Sequence, residues 1–332
     1  MVKIAINGLG RIGRCVIRAL VEYPFDDIDL VAVNGPAEIN SHIHLLKYDS
    51  VHGAFRGELY ADGDYIVAGR HRMKLTRCRD INELDWSGID IVLECSGKFN
   101  KRSDAAKHLE RGAKKVLVSA PCDEADATIV YKVNDDILSN EHKVISIGSC
   151  TTNCLAPVAK VLNDKIGIES GFMTTVHAYT NDQNILDGSH KDLRRARSAG
   201  TSMVPTTTGA AKAIGLVIPE LEGKLLGSAI RVPTPNVSLV DLSFVANRDT
   251  SKAEINEILS DAANSYMKGA LGVSNEPLVS IDFNHNPNSS TVDLLETAVV
   301  GNRFARVMSW YDNEWGFSVR MLDVARLVAK DL

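Results

Sequence analysis

The sequence predicts an α/β protein, with a doubly wound parallel sheet followed by an α+β domain whose sheet is mainly antiparallel. Three observations predict this. Short apolar runs alternate with helical patterns in the first half, a glycine-rich turn follows the first run, and apolar runs lengthen and alternate with polar residues from about residue 150. We expect one domain over residues 1–149, joined by a C-terminal helix over 317–332, and a second domain over 150–316.

Length and composition limit the classes of protein to which this chain can belong. The 332 residues suffice for two cores, and the chain is 45% hydrophobic and 24% charged with a net charge of −5. Apart from Asp192–Arg197 it has no basic run of the kind that binds nucleic acid, and no apolar run approaches the roughly 18 residues of a membrane span. With no signal-peptide pattern and only six cysteines, we expect a cytoplasmic protein with reduced thiols.

Apolar runs in the first half are the predicted strands of the parallel sheet. The first, Lys3–Asn7, precedes a helical pattern that places Ile12, Val16, Ala19 and Leu20 on one face. The others are residues 29–34, 89–95, 115–118 and 143–147.

Longer alternating runs in the second half predict mainly antiparallel strands. They cover residues 171–179, 229–246, 291–300 and 304–310, and helical patterns occur near 150–162 and 252–267. A last helical stripe is formed by Met321, Leu322, Ala325 and Val328, and we expect this helix to pack on the first domain.

Gly8, Gly10 and Gly13 fit the pattern G-x-G-x-x-G between the first strand and the first helix. In that context the glycines let the backbone approach a pyrophosphate, and the helix N-terminus supplies N–H donors. The alternative is a tight turn with no ligand. The pattern predicts a Rossmann-type dinucleotide-binding domain.

A carboxylate is expected about twenty residues further on, to bind the adenosine ribose, yet the second strand ends in Asn34 and Gly35. These two residues could simply form a turn. The functional interpretation is a broader choice of cofactor, because a carboxylate would repel the additional phosphate of NADP.

Cys150 stands where a strand runs through Ser149 into a helical pattern, and the helix dipole at such a position favours a thiolate. Among nine histidines His177 is the best candidate for a base, although a lone histidine is more often structural. Cys150 and Cys154 form only one possible ligand pair, so a metal site is not indicated. Cys154 is expected in the core.

Hydroxyl groups flank the cysteine at Ser149 and Thr151, and the stretch Pro205–Ala211 brings small and hydroxyl residues before a helix. Such a stretch suits a phosphate, although threonine-rich loops are usually solvated turns.

Several motifs together resemble the phosphorylating glyceraldehyde-3-phosphate dehydrogenase family. The resemblance runs from residue 2 to the end and is carried by INGLGRIGR, SCTTNCLAP, HAYTNDQ, PTTTGAAKA, RVPTPNVS and WYDNEWG, in the family's order.

This resemblance implies an enzyme that oxidises glyceraldehyde 3-phosphate with NAD or NADP and inorganic phosphate. Cys150 would form a thiohemiacetal and then a thioester, His177 would act as the base, and phosphate would release 1,3-bisphosphoglycerate. It also implies a homotetramer in which residues 178–201 form the interface loop.

The resemblance further implies three groups of binding residues. Thr180, Arg195 and Arg231 would hold the substrate phosphate. Ser149, Thr151, Thr208 and Gly209 would hold the attacking phosphate. The cofactor contacts would include Arg11, Ile12, Arg79, Ser119 and Asn313.

Three departures from the family pattern stand out. Ile147 and Gly148 replace asparagine and alanine before the nucleophile, Gly35 replaces an aspartate, and Gly188-Ser189 replaces a bulky residue and proline. The last two both favour acceptance of NADP.

Two rival functions remain. Residues 279–287 resemble the related erythrose-4-phosphate dehydrogenases, although Thr180-Asn181 and Thr206–Ala211 resemble the triose enzyme. A non-catalytic binding role is the other, and the presence of both Cys150 and His177 disfavours it.

Overall fold

The computed structural model describes residues 1–330 and 332, and the chain divides into two compact units. The first unit contains residues 1–131, 135–149 and 317–332, and the second contains 132–134 and 150–316. Asp331, in the predicted C-terminal helical segment, lies outside the described residues. The predicted fold class is confirmed, because the first unit carries a largely parallel sheet and the second a mainly antiparallel one.

The first unit begins with the elements of a doubly wound fold. Its strands and helices are β1 (Val2–Asn7), α1 (Arg11–Glu22), β2 (Ile28–Asn34), α2 (Ile39–Lys47), β3 (Tyr48–Asp49), β4 (Gly53–Ala54), β5 (Leu59–Asp62), β6 (Tyr65–Ala68), β7 (His71–Thr76), β8 (Ile91–Glu94), α3 (Arg102–Ala105), α4 (Lys107–Glu110), β9 (Lys115–Val118), β10 (Ala127–Thr128) and β11 (Val144–Ser146).

The large sheet of this unit has the order β10-β11-β9-β8-β1-β2-β7-β6-β5. Its strands from β10 to β7 pair in parallel, whereas β5 and β6 form an antiparallel edge that the sequence pattern did not predict. Strand order reverses at β1, and Asn7 is in register with Asn34 on one side and Glu94 on the other. This switch point at the carboxyl ends of the strands is where open α/β sheets bind ligands.

The second unit surrounds a seven-stranded sheet of order β13-β14-β12-β15-β18-β17-β16. Its elements are α5 (Cys150–Ile166), β12 (Ile168–Ala178), β13 (Val204–Thr207), α6 (Ala210–Val217), β14 (Leu225–Val232), β15 (Ser238–Ala246), α7 (Lys252–Asn264), β16 (Leu271–Ser274), β17 (Ser290–Val300) and β18 (Phe304–Tyr311). Two of its pairings, β12 with β14 and β16 with β17, are parallel.

The single run predicted over residues 229–246 is wrong, because the structure has two strands there. β14 ends at Val232 and β15 begins at Ser238. Pro233 and Pro235 lie between them, and Val237 adopts a positive φ of 67°. Proline lacks the N–H that a central strand donates, so the ladder is interrupted here.

The last helix, α8 (Trp315–Ala329), belongs to the first unit from Phe317 onward. Met321, Leu322, Ala325 and Val328 are all buried, as the helical stripe predicts. Within the first unit, Met321 Sδ lies 3.8 Å from Cys95 Sγ. Within the described residues, no helix combines the length and apolar character needed to cross a bilayer.

Candidate active site

Cys150 and His177 lie next to each other in the second unit. Cys150 is the first residue of α5, His177 is the penultimate residue of β12, and Cys150 Sγ lies 3.5 Å from His177 Nε2. His177 is 3% exposed and Cys150 is half-buried. The two residues are 27 positions apart, so the fold supplies a proximity that their spacing does not predict.

Burial favours the uncharged form of both groups. It raises the pKa of the Cys150 thiol, and the Arg231 guanidinium and hydrogen bonds from Thr151 partly oppose it. Burial also lowers the pKa of His177 to about 3, and the Arg231 charge lowers it further. Loss of water on burial therefore offsets the effect of the helix start on the thiolate.

The far side of the His177 ring has two competing partners. Nδ1 lies 2.7 Å from the Ala178 carbonyl oxygen and 2.8 Å from Arg231 Nη1. When Nδ1 donates to Ala178, the free Nε2 lone pair faces the thiol and can accept its proton. When Arg231 donates to Nδ1, Nε2 carries the hydrogen and can stabilise a thiolate.

Tyr311 is a buried residue of this site that sequence reasoning missed. Its hydroxyl lies 2.9 Å from Thr151 Oγ1 and 2.8 Å from Thr175 Oγ1, and its ring meets His177 edge to face at 5.9 Å. Tyr311 therefore fixes the first turn of α5 and one face of the imidazole. The available signal was its place within WYDNEWG.

The three residues expected at the substrate phosphate are placed differently. Arg231, on β14, is directly in register with His177. The Thr180 N–H donates to Gln183 Oε1 at 2.8 Å. Arg195 is paired with the Asp182 carboxylate and donates to Thr206 Oγ1 at 3.0 Å. The Arg195 guanidinium is thus already neutralised by a carboxylate.

Thr208 and Gly209 form the start of α6. Gly209 is its N-cap, and a side chain there would meet no atom within 4 Å. Thr208 Oγ1 accepts from the Ala210 N–H at 3.2 Å. Ser149, half-buried, directly precedes the nucleophile. These groups and Thr151 provide the hydroxyls and open helix N-terminus that an anion uses.

The backbone conformation before Cys150 explains the glycine at position 148. Gly148 has a φ of 68°, a left-handed conformation that favours glycine, and its N–H donates to Ser146 Oγ at 3.0 Å. Ile147 is fully buried. The departure at position 148 therefore suits the backbone of this chain.

In the first unit, the glycine turn has the shape that a dinucleotide requires. Gly8 has a φ of 103°, and a Cβ there would lie 2.5 Å from the Ser96 nitrogen. A Cβ on Gly13 would lie 2.1 Å from the Gly8 carbonyl oxygen, whereas one on Gly10 would meet nothing within 4 Å. The turn is tight on its inner side and open at Gly10, which fits close approach of a pyrophosphate.

The remaining cofactor candidates surround the carboxyl ends of the strands or belong to the second unit. Arg11 forms two hydrogen bonds with Asp49, at 2.6 and 3.0 Å. Asn34 donates to Asn7 Oδ1 at 2.8 Å, so its amide is held inside the sheet. In the second unit, Ser238 donates to Asn313 Oδ1 at 2.8 Å, which leaves the amide N–H groups as the donors. Ile12 is half-buried, Ser119 begins the loop after β9 and Arg79 is exposed.

A buried polar network beneath the glycine turn was also missed. Glu94 accepts from Asn7 Nδ2 at 2.6 Å and from Ser96, and it lies 2.9 Å from His108 Nε2. Trp86 donates to His108 Nδ1 at 2.8 Å, so the ring hydrogen is on Nε2 and points to Glu94. The sequence signal was an acid at the end of the buried strand β8.

A glycine turn at the switch point of a parallel sheet and a thiol–imidazole pair in a second, α+β unit define the class of two-domain, nucleotide-dependent thiol dehydrogenases. Residues 2–102 match the family model described as the glyceraldehyde 3-phosphate dehydrogenase NAD binding domain, and residues 149–313 match its C-terminal domain. The chain belongs to the glyceraldehyde-3-phosphate dehydrogenase family, whose members are NAD-dependent oxidoreductases.

Full-length relatives agree. The chain is 60% identical to the glyceraldehyde-3-phosphate dehydrogenase of Xanthobacter flavus, with 99% of each chain covered. It is 56% identical to that of Cereibacter sphaeroides, covering 98% of this chain and 97% of the relative. It is 55% identical to glyceraldehyde-3-phosphate dehydrogenase 1 of Bacillus subtilis strain 168, covering 99% and 98%. These relatives do not favour the erythrose-4-phosphate alternative.

Proposed function

We propose that this protein oxidises glyceraldehyde 3-phosphate with NAD or NADP and inorganic phosphate, and that the product is 1,3-bisphosphoglycerate. The observation that carries the proposal is the 3.5 Å approach of Cys150 Sγ to the buried His177 Nε2. A nucleophile and a base within reach of each other are the minimum for covalent catalysis.

In the proposed reaction, Cys150 forms the bond to the substrate and His177 transfers the protons. His177 Nε2 takes the thiol proton as Sγ bonds to the aldehyde carbon, and the resulting imidazolium returns that proton to the oxyanion to give a thiohemiacetal. His177 then removes the hydroxyl proton as the carbon loses a hydride and becomes a thioester carbonyl. The nicotinamide cofactor supplies the acceptor for that hydride. A phosphate oxygen attacks the carbonyl, the C–S bond breaks, and the thiolate is regenerated.

Two groups of residues would bind the anions. We assign Thr180, Arg195 and Arg231 to the phosphate of the substrate, because two guanidinium groups can balance a dianion. We assign Ser149, Thr151, Thr208 and Gly209 to inorganic phosphate. Support for the second group comes from the exposed N-cap at Gly209 and its open surroundings.

The turn of Gly8, Gly10 and Gly13 would hold the pyrophosphate of the cofactor. Arg11, Ile12, Asn34, Gly35, Arg79, Ser119 and Asn313 are the remaining proposed contacts. NADP acceptance is supported by the absence of a carboxylate at Gly35. In the assembled protein, Gly188 and Ser189 of a neighbouring subunit would leave room for the additional phosphate.

We also propose a cytoplasmic homotetramer. The loop within residues 178–201 exposes Ile185, Leu186 and Leu193 by 81%, 77% and 81%, and the sheet of the second unit exposes Phe172, Leu226 and Phe304 by 48%, 68% and 48%. Apolar surface of this extent favours subunit contacts. Light scattering of the purified protein tests the mass. A monomeric mass at micromolar concentration would contradict the assembly.

The function is tested by following reduced-cofactor absorbance with purified protein. Glyceraldehyde 3-phosphate, inorganic phosphate and either NAD or NADP should all be required for sustained turnover. Erythrose 4-phosphate, tested under the same conditions, should be oxidised far less efficiently. Equal turnover without phosphate would contradict the phosphorolysis step, and no oxidation of the triose phosphate would contradict the whole proposal.

A further inference from the structure

The space beside Gly35 is occupied by a histidine. A Cβ built on Gly35 would lie 2.7 Å from His42 Nε2 and 2.8 Å from its Cε1. His42 is the fourth residue of α2 and is 5% exposed. Its ring therefore fills the place where a longer residue at the end of β2 would begin. A glycine at position 35 and a histidine at position 42 form one local arrangement.

The His42 ring is buried without hydrogen bonds of good geometry. Among residues 1–330 and 332, neither Nδ1 nor Nε2 has such a partner. Burial lowers the pKa of His42, while the nearby Gly35 carbonyl raises it and the Arg14 charge lowers it. Unpaired polar atoms in an apolar setting are costly, and leucine would fill the same space without that cost. The ring nitrogens thus lack the hydrogen-bond partners that buried nitrogens normally have.

The position of the ring identifies the part of the ligand that it would meet. In the dinucleotide fold, the residue at the end of the second strand faces the 2′ position of the adenosine ribose. Here that residue is Gly35, whose N–H donates to the Thr76 carbonyl and which presents no side chain. His42 is the polar group that lies directly against it.

We propose that His42 is a specificity-determining residue for the cofactor, donating a hydrogen bond to the 2′-phosphate of NADP where a carboxylate would repel it. This inference rests on the proposed use of NADP. A ring N–H can also donate to the 2′-hydroxyl of NAD, so NAD remains a ligand. A bond to the doubly charged phosphate is the stronger of the two.

The cationic side chains near Gly35 and His42 already have partners. Arg14 Nη1 donates to the Leu9 carbonyl oxygen at 2.8 Å. Arg77, which follows the strand next to β2, is paired with Glu38 at the N-cap of α2. His42 differs from these two arginines in being buried with ring nitrogens that make no hydrogen bond of good geometry.

The test is direct binding of NAD and NADP to the full chain by calorimetry, independent of turnover. His42→Leu keeps an apolar filler and removes the ring nitrogens. The ratio of NADP affinity to NAD affinity should fall about tenfold, the difference between a charge-assisted and a neutral hydrogen bond. His44→Leu is the matched control, because His44 lies on the same helix but is exposed. It should leave the ratio unchanged.

A second pair of ligands isolates the contact. Adenosine 2′,5′-bisphosphate and 5′-AMP differ only in the 2′-phosphate, and His42→Leu should weaken the first selectively. His42→Gln, which keeps an N–H donor, should retain most of the wild-type ratio. Thermal unfolding shows whether each variant is folded. If His42→Leu is not folded, His42→Gln is compared with a folded His42→Ala variant. The ratio of NADP affinity to NAD affinity should then be higher for His42→Gln than for His42→Ala.

Different results would contradict the proposed use of NADP and the proposed role of His42. If the wild-type protein does not bind NADP, the proposed cofactor use is wrong. If it binds both cofactors and His42→Leu weakens both by the same factor, His42 only fills space and the inference is overturned. A selective loss for NADP and for the bisphosphate supports it.

Discussion

Arg231 Nη1 lies 2.8 Å from His177 Nδ1, so an arginine proposed to bind the substrate phosphate also contacts the proposed base. If Arg231 binds the substrate phosphate as proposed, the contact would link substrate binding to the position of the proton on the ring. When a phosphate draws the guanidinium away from Nδ1, that nitrogen is left to donate to the Ala178 carbonyl. Nε2 then faces the thiol as an acceptor, which is the form that a general base needs.

Arg231→Gly should therefore have two effects. Loss of a charge-assisted contact worth roughly 1.5–3 kcal/mol should reduce kcat/KM for glyceraldehyde 3-phosphate by about 10- to 150-fold more than for unphosphorylated glyceraldehyde. Loss of the positive charge that favours the Cys150 thiolate should also slow alkylation of Cys150 at neutral pH. Steady-state kinetics and iodoacetamide labelling measure these effects. Equal losses with both aldehydes would contradict the phosphate assignment.

Cys150→Ser should abolish phosphorylating turnover while NAD binding persists, because the substitution replaces the nucleophilic sulfur with oxygen and leaves the first unit intact. Calorimetry and the absorbance assay check the two parts. Cys154→Ala is the matched control. Cys154 Sγ is buried 3.5 Å from Ser290 Oγ, so its loss should affect stability more than turnover. Near-normal turnover in the serine variant would refute the covalent mechanism.

His177→Asn should lower the turnover rate by about 10²–10⁴, the range for loss of a general base. Thiol alkylation at neutral pH should slow as well. Mass spectrometry of quenched samples gives the alkylation rate. A variant that is alkylated as fast as the wild type would show that His177 does not activate the thiol.

The same variant should be less sensitive to acid. Burial lowers the pKa of folded His177 to about 3 from the ordinary 6.5. As pH falls below 6.5 the unfolded chain takes up a proton that the folded chain refuses, so wild-type stability falls by up to about 1.4 kcal/mol per pH unit until pH reaches about 3. Urea unfolding at pH 7 and pH 5 should show a smaller difference for His177→Asn. Identical differences would contradict the buried neutral ring.

Asp49→Asn should destabilise the first unit and weaken cofactor binding. Burial alone would raise the pKa of Asp49, but hydrogen bonds from Arg11 and from the N–H groups of His52 and Val51 hold it well below its usual range. Removing the charge should cost roughly 2–3 kcal/mol, below the 3–5 of a fully buried pair because Arg11 is partly exposed.

The pH dependence of this loss has a definite sign. The folded pKa of Asp49 is depressed, so its stabilising contribution is complete above the ordinary value of 3.8 and is lost as pH falls below it. Denaturant unfolding should show the gap between wild type and variant closing in acid. Asp62→Asn, which breaks the exposed pair with Arg72, is the control and should have a much smaller effect on stability. Equal effects of the two changes would contradict the role of burial.

Gly35→Asp should depend on residue 42. Its Cβ would displace the His42 ring, so the single variant should lose thermal stability, while Gly35→Asp in a His42→Ala background should lose less and should prefer NAD. The carboxylate would repel the 2′-phosphate by something on the order of 1–4 kcal/mol. Thermal unfolding and cofactor binding of all four proteins give the coupling. Additivity within about 0.5 kcal/mol would show that positions 35 and 42 act independently.

Local sequence patterns predicted the strands and helices that depend on hydrophobic periodicity. The strands at Lys3–Asn7 and residues 115–118 and the stripe of Met321, Leu322, Ala325 and Val328 follow from hydrophobic periodicity. The prolines within residues 233–237 indicate a break between two strands, but the apolar residues on either side led to the prediction of one continuous run.

Long-range pairings were not predictable in the same way. Glu94 meets His108 across 14 residues, and Thr151 meets Tyr311 across 160. No local pattern encodes such contacts, because each joins a helix to a strand and depends on how the two elements pack. His177 was one histidine among nine until the family motifs distinguished it, whereas Cys150 was prominent because of its predicted helix start and its hydroxyl neighbours.

Under the proposed assignment of Arg195 to the substrate phosphate, the Asp182 carboxylate paired with Arg195 would make substrate binding an exchange of anions. An incoming phosphate must release one ion pair to form another, so its apparent affinity is the difference between two pairings. A doubly charged phosphate gains more from the guanidinium than the single charge that it displaces. A singly charged acid gains little by the same exchange. In the proposed site, Asp182 would thus act as an internal competitor that selects ligands by their charge.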